Sequence, residues 1–168
     1  MIELGSPLSG SLSLTPHGQY GAPRPLRNGT HRGLDFVANE GDPVLAVADG
    51  PVARTGTDPP VAQGGGGGGN YVIQTLTDGS DTIEAGYFHL SSVEVRQGQS
   101  LSQGDRVGGV GSTGTASGGA HLHFQLKRTT GGASDPIDPS SWFPGILWQS
   151  SPVVVALLVA AALWVFLS

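Results

Sequence analysis

The sequence predicts an all-β fold, an open antiparallel β-sandwich or half-barrel, and three observations lead to this class. The chain has 168 residues, which is long enough for one domain with a substantial buried core. Short segments alternate apolar and polar side chains, as strands with one buried face do. The 28 glycines and 12 prolines supply turns between such strands, and few segments have helical periodicity.

The central strands can be placed from their alternation and their turn residues. Segment 42–56 alternates as one strand region and contains the turn dipeptide Asp49-Gly50. Segment 70–90 predicts two strands around Asp78-Gly79, a dipeptide that favours a hairpin. These segments therefore supply the middle of the predicted sheet.

The remaining strands lie nearer the carboxyl end. Segment 98–114 predicts two short strands, and segment 121–127 alternates strictly. We expect the run Gly64–Gly69 to be a flexible loop, because glycine buries no side chain and loses much entropy on ordering. No Lys-Ser/Thr pair follows this run, so it does not predict a phosphate-binding loop.

Charge and cysteine content exclude several classes of function. The net charge is -5 at pH 7, so the chain lacks the basic face that neutralises phosphates, and we expect no nucleic-acid partner. The chain contains no cysteine, which excludes disulfides and thiolate metal sites. Any metal ligands must therefore be His, Asp or Glu.

The segment from Pro152 to Leu167 predicts one C-terminal transmembrane helix. It carries no charged side chain, and Ser151 followed by proline suits a helix start. A helix of this length falls short of a hydrocarbon core of ~30 Å, so we expect it to extend back over residues 146–148. The alternative is a buried C-terminal helix or strand.

Two histidines of the stretch His-Leu-His-Phe share one face of a predicted strand. Successive side chains of a strand point to opposite faces, so His121 and His123 project to one side and Leu122 and Phe124 to the other. Such a pair also occurs by chance on half-exposed strands. The positions of the other histidines therefore decide its meaning.

Further candidate ligands lie upstream. His31 and Asp35 are four residues apart, and imidazole and carboxylate are suitable zinc ligands where thiolates are absent. His89 lies at the end of a predicted strand, with Phe88 and Leu90 expected on the opposite face. Each histidine alone could be an ordinary solvated residue, but together they indicate a metal site.

The motifs that contain these residues resemble those of a known enzyme family. His-Arg-Gly-Leu-Asp at 31–35, Tyr-Phe-His-Leu at 87–90 and His-Leu-His-Phe at 121–124 occur in this order. They are similar to the H-x-x-x-D and H-x-H signatures of the lysostaphin-type (LytM-like) zinc endopeptidases, which cut peptidoglycan cross-bridges. The resemblance covers about residues 26–126.

This resemblance implies a fold of the duplicated hybrid motif type and a site for one Zn²⁺ ion. His31, Asp35 and His123 match the zinc ligands, which leave an open fourth position for a water of lowered pKa. His121 and His89 match the two histidines beside that water. We expect His121 to be the general base and later to protonate the leaving amine. We expect His89 to orient or stabilise the oxyanion.

The resemblance and the apolar C-terminal segment together predict a chain of four parts. Residues 1–25 form a lead-in, and residues 26–128 form the zinc endopeptidase domain. Residues 129–151 are a linker with aromatic interface residues, and residues 152–168 are the transmembrane helix. The aromatic residues expected at the membrane interface are Trp142, Phe143 and Trp148.

Two other classes of function remain open at this point. A non-catalytic wall-binding or hydrolase-activating module could share the fold, although such modules have typically lost metal ligands. A lipoyl or phosphocarrier domain resembles segment 98–111, but a lipoyl domain needs a lysine at its hairpin tip, and this turn has Gly104-Asp105. Bound zinc would separate the enzyme from both alternatives.

The expected partners are peptidoglycan peptide stems or cross-bridges and, through the C-terminal helix, a lipid membrane. The lead-in lacks the basic start and apolar stretch of a secretory signal, and Lys127 and Arg128 precede the anchor. Both features favour a position of the domain on the cytoplasmic side of the membrane, where peptidoglycan is absent. We therefore expect a phage lysin anchored in an internal virion membrane, with an enzyme of the bacterial cell envelope as the alternative.

Overall fold

The expected all-β class is confirmed by the computed structural model, which describes residues 2–24, 29–60, 63, 66–132 and 134–143. The strands within these ranges pair in antiparallel fashion. In chain order they are β1 (Pro23–Arg24), β2 (Gly29–Thr30), β3 (Leu34–Val37), β4 (Pro43–Leu45), β5 (Gly50–Asp58), β6 (Gly69–Asp78), β7 (Asp81–Phe88), β8 (Ser92–Val93), β9 (Ser100–Leu101), β10 (Arg106–Gly109), β11 (His121–Arg128) and β12 (Asp135–Ile137).

The largest sheet carries the predicted site. Its strand order is β12-β11-β7-β6-β5-β9, and β3 also pairs with β11. A smaller sheet has the order β4-β10-β8, and β1 pairs with β2 as a separate ribbon. Strand β11 therefore has β7 along one edge and β3 and β12 along the other, which brings distant parts of the sequence beside its histidines.

The hydrophobic core covers one face of the large sheet. Alternation along β11 buries Leu122, Phe124 and Leu126 completely, while the histidines occupy the other face. Tyr87 from β7 packs on Phe124, with ring centroids 5.4 Å apart. Side chains from the small sheet, including Val44, complete the same core. The face of β11 opposite this core is left for the site.

A buried hydrogen-bonded network holds the chain between β4 and β5, next to the expected Asp49-Gly50 turn. The Tyr87 hydroxyl donates to Gln74 Oε1 at 2.9 Å and accepts from the Val47 amide at 3.0 Å. The Gln74 amide donates to the Ala48 carbonyl at 2.6 Å. Burial raises the pKa of Tyr87 well above its usual range, so the hydroxyl stays a donor. These bonds satisfy the Val47 amide and the Ala48 carbonyl, which lie between β4 and β5.

Both ends of the described chain pack against its central strands. Leu8 and Leu14 of the lead-in are buried and bridge to Val44 and Phe36. Phe143 is 6% exposed and packs edge-on against Phe36, with centroids 5.8 Å apart. In the described structure the Phe143 ring therefore lies in the core, whereas the sequence places it at a membrane interface.

The expected linker also begins within the sheet. Strand β12 pairs with the end of β11, from Leu126↔Ile137 to Arg128↔Asp135. The predicted transmembrane segment, residues 152–168, and Trp148 lie outside the described residues. Among the residues that are described, no helix has the length and apolar character needed to cross a membrane.

Candidate metal centre

Strand pairing brings three predicted ligands together. Asp35 on β3 lies directly opposite His123 on β11, and His31 lies just before β3. Asp35 Oδ1 is 2.7 Å from His123 Nδ1 and 3.0 Å from His31 Nε2, and the two nitrogens are 2.9 Å apart. The structure thus assembles the donors His31, Asp35 and His123 into one small triangle.

The chemistry of these donors fits a bound cation. The Gln19 carbonyl oxygen lies 3.0 Å from His31 Nδ1 and can only accept, so Nδ1 donates and a neutral ring presents an unprotonated Nε2 to Asp35. Two acceptors would then face each other at 3.0 Å. A metal ion shared by these donors would remove that repulsion. The three residues therefore form a site that could hold a metal.

Asp35 is held in its charged form. Burial disfavours its carboxylate, but the interactions with His123 and His31 together outweigh burial and lower the pKa of Asp35 well below its usual range. Burial also lowers the pKa of His123, although the bond to Asp35 opposes that effect. A charged carboxylate beside neutral imidazoles is the protonation state that binds a divalent metal.

His121 and His89 lie beside this triangle. Their ring centroids are 4.8 Å apart, and His121 Nε2 is 3.7 Å from Asp35 Oδ1. His121 Nδ1 is 2.8 Å from the Gly119 carbonyl oxygen, and His89 Nδ1 is 2.8 Å from that of Thr113. Each Nδ1 therefore donates, which leaves Nε2 of each neutral ring as a free base.

The direction of His89 differs from the expected alternation. His89 has a φ of 63°, a conformation that is uncommon outside glycine and often marks a functional site. Phe88 was expected on the opposite face from the histidines, but its ring lies 5.5 Å from that of His123. The turn at His89 lets both residues reach the site, whereas Leu90 is buried as expected.

The site opens into a groove across the exposed face of the large sheet. The cavity has a volume of about 1120 Å³, which is large enough for a peptide-sized ligand. Beyond the site, Arg54 and Glu84 form a two-bond ion pair along its floor, with distances of 2.7 and 2.9 Å. His17, left out of the predicted site, lines the same groove and is exposed.

Gly68 lines one side of the groove, and we call the segment Gly67–Gly69 the glycine wall. The Ala116 amide donates to the Gly67 carbonyl at 2.9 Å, and the Gly68 amide donates to Asp58 Oδ2 at 2.7 Å. A Cβ at Gly69 would lie 2.4 Å from the Thr113 backbone. Their bare backbone allows this close packing, and Gly69 already belongs to β6.

Sequence reasoning missed three residues of the site. Arg24 donates to the second oxygen of Asp35 at 2.7 Å, a contact that no spacing rule indicates. Phe88 was placed on the wrong face. Gly33 lies so close to β11 that a Cβ there would be 2.3 Å from the Phe124 carbonyl oxygen. Its position between the ligands in His-Arg-Gly-Leu-Asp was the available signal.

A comparison of the sequence with models of known protein families finds one family whose match contains all the motifs of the site. The model of the family described as Peptidase family M23 matches residues 29–139. The chain belongs to Peptidase family M23. This match includes every residue of the triangle and both neighbouring histidines, and it confirms the resemblance that the motifs indicated.

Solved M23 structures share the arrangement of strands. The catalytic domain of lysostaphin from Staphylococcus simulans aligns with a TM-score of 0.64 and 32% identity, over 76% of this chain and 89% of that one. The catalytic domain of EnpA, a prophage-encoded M23 protein from Enterococcus faecalis, aligns with a TM-score of 0.63 and 28% identity, over 80% of this chain and 95% of that one.

Curated M23 relatives are much longer than this chain. An uncharacterized metalloprotease of Haemophilus influenzae is 37% identical over 107 residues, which are 64% of this chain and 20% of the relative. The peptidoglycan DD-endopeptidase ShyA of Vibrio cholerae is 38% identical over 57% of this chain and 20% of its own length. The chain spans about a fifth of the length of these relatives.

Proposed function

We propose that this chain is a zinc-dependent endopeptidase that hydrolyses the peptide cross-bridges of bacterial peptidoglycan. The observation that carries the proposal is the convergence of His31 Nε2, Asp35 Oδ1 and His123 Nδ1 within 3.0 Å of one another. The names of M23 relatives support the substrate, because ShyA is a peptidoglycan endopeptidase and ALE-1 a glycyl-glycine endopeptidase.

His31, Asp35 and His123 would hold the ion. Zinc bound by two imidazoles and one carboxylate supplies Lewis acidity to a hydrolytic site. The protein fixes the tautomer of His31, because the Gln19 carbonyl accepts from Nδ1 and leaves Nε2 as the ligand atom. The three ligand residues line the same groove as His121 and His89.

His121 is the proposed general base. Its Nδ1 proton is held by the Gly119 carbonyl at 2.8 Å, so Nε2 is free to take a proton from the attacking water. The resulting imidazolium would lie near the Asp35 carboxylate, 3.7 Å from Nε2 in the resting structure. It can then give that proton to the leaving amine, which returns His121 to its starting form.

His89 is better suited to orient the water than to donate to an oxyanion. The one proton of its neutral ring is used by the Thr113 carbonyl at 2.8 Å. Burial lowers the pKa of His89 to about 4, so a second ring proton is disfavoured at neutral pH. Its Nε2 is therefore an acceptor, and we assign it a hydrogen bond from the attacking water.

The test of this proposal combines metal analysis with digestion of purified cell walls. We expect the full chain to retain about one zinc ion through gel filtration, to release muropeptides, and to lose that activity with a chelator. Readdition of Zn²⁺ should restore release. A chain that binds walls but neither holds zinc nor cleaves them would instead be the binding or activating module.

We propose that the apolar C-terminal segment anchors this hydrolase in the lipid layer of a phage virion. The charge-free run from Pro152 to Leu167 supports the anchor, and the prophage origin of EnpA supports a phage setting by analogy. We expect the chain to copurify with virions that retain lipid and to leave them on detergent extraction. Recovery from uninfected cells alone would contradict the virion setting.

A further inference from the structure

A short ribbon positions Arg24 beside the candidate metal centre. Strands β1 and β2 pair Arg24 with Gly29. The same ladder continues into His31, whose amide donates to the Ala22 carbonyl at 2.8 Å and whose carbonyl accepts from the Gly21 amide at 2.8 Å. Arg24 and His31 are therefore held in fixed relation by backbone hydrogen bonds.

The two oxygens of Asp35 have different partners. Oδ1 lies 2.7 Å from His123 Nδ1 and 3.0 Å from His31 Nε2, on the side of the triangle. Oδ2 accepts from Arg24 Nη2 at 2.7 Å, on the other side. The Arg24 side chain is 30% exposed and that of Asp35 is 11% exposed, so the bond is partly shielded from water.

The different partners of the two Asp35 oxygens determine how this carboxylate can bind an ion. The terminal torsion of aspartate is broad, so a free carboxylate can rotate and offer one or both oxygens. A charge-assisted bond from a guanidinium fixes that rotation and occupies one oxygen. Oδ1 alone then remains for the metal, and a second coordination position that a chelating carboxylate would fill stays open.

We propose that Arg24 is a positioning residue that restricts Asp35 to binding the metal through Oδ1 alone. The inference rests on the proposed zinc site and adds to it the residue that sets the coordination of its single carboxylate. It concerns the metal's ligand geometry, so it can be measured on the bound ion without any peptide substrate.

The experiment compares metal binding by the full chain and by two variants, Arg24→Met and Arg24→Lys. Methionine has no N–H donor, whereas lysine keeps a cationic donor on a long stem. Zn²⁺ dissociation constants are measured by competition with a fluorescent chelator. Co²⁺-substituted protein is measured by visible absorption, which weakens when a fifth or sixth ligand atom joins a four-coordinate ion.

We expect Arg24→Met to bind zinc about 10- to 100-fold more weakly than the parent, as for other groups that orient metal ligands, and to lose Co²⁺ absorption intensity. Arg24→Lys should recover part of the zinc affinity and part of the Co²⁺ absorption intensity. Arg128→Met is the matched control, because Arg128 also bonds an aspartate, Asp81 at 3.1 Å, but lies at the far end of β11. Arg128→Met should match the parent in zinc affinity and in Co²⁺ absorption.

Two outcomes separate this inference from the function on which it rests. An Arg24→Met protein with the zinc affinity and Co²⁺ spectrum of the parent would overturn the role of Arg24 and leave the proposed peptidase intact. A parent chain that binds neither ion would overturn the proposed zinc site itself, and this inference with it. Thermal unfolding in chelator checks that the metal-free variant folds like the parent.

Discussion

Replacing His121 with alanine is expected to lower the rate of cross-bridge hydrolysis by about 10²- to 10⁴-fold, the usual contribution of a general base, while bound zinc is retained. The reason is geometric: His121 Nε2 faces the site with its Nδ1 proton held by Gly119, but His121 is outside the ligand triangle. Muropeptide release and metal content are measured on the same protein samples.

His31→Ala provides the contrast. This change removes one corner of the triangle, so we expect both zinc and hydrolysis to be lost. His31 is 5% exposed, and thermal unfolding in chelator separates loss of the site from loss of the fold. Cleavage that continues at the parent rate in His121→Ala would remove the assignment of His121 as the base.

Gly33→Ala is expected to abolish zinc binding and to lower the free energy of unfolding by about 1–3 kcal/mol, the usual cost of overpacking. A Cβ on Gly33 would lie 2.3 Å from the Phe124 carbonyl oxygen and 2.9 Å from His123 Cε1. The first of these neighbours is backbone, so β3 has to move away from β11. That movement separates Asp35 from His123, which face each other across the two strands.

The measurement pairs zinc content with urea unfolding in chelator. Gly118→Ala is the control, since a Cβ at Gly118 meets nothing within 4 Å, and its zinc content and stability should match the parent. If Gly33→Ala retains zinc at parental affinity, the close approach of β3 to β11 is not what brings the ligands together.

Much of this site could be predicted because its signals are local. Alternation placed His121 and His123 on one face and Leu122 and Phe124 on the other, and β11 has this arrangement. The Asp78-Gly79 turn was placed by the same kind of reasoning, since the hairpin of β6 and β7 turns there. Period-two patterns and turn dipeptides are properties of the neighbouring residues alone.

The missed features depend on contacts that the sequence does not encode locally. The positive φ of His89 breaks the alternation that placed Phe88, and no glycine or asparagine at that position signals it. The pairing of Arg24 with Asp35 follows from the β1–β2 ribbon. The break after β4 follows from the hydroxyl of Tyr87, forty residues away from Val47.

The glycine wall limits how this domain could be re-engineered by exchanging loops with other members of Peptidase family M23. The Gly68 carbonyl accepts from the His89 amide at 2.9 Å, and Gly67 bonds to the segment that leads into His121. A donor loop spliced in after Gly66 would replace backbone that supports both histidines. Chimaeras with a new loop should therefore keep Gly67–Gly69 of this chain. The transplanted segment should end before Gly67.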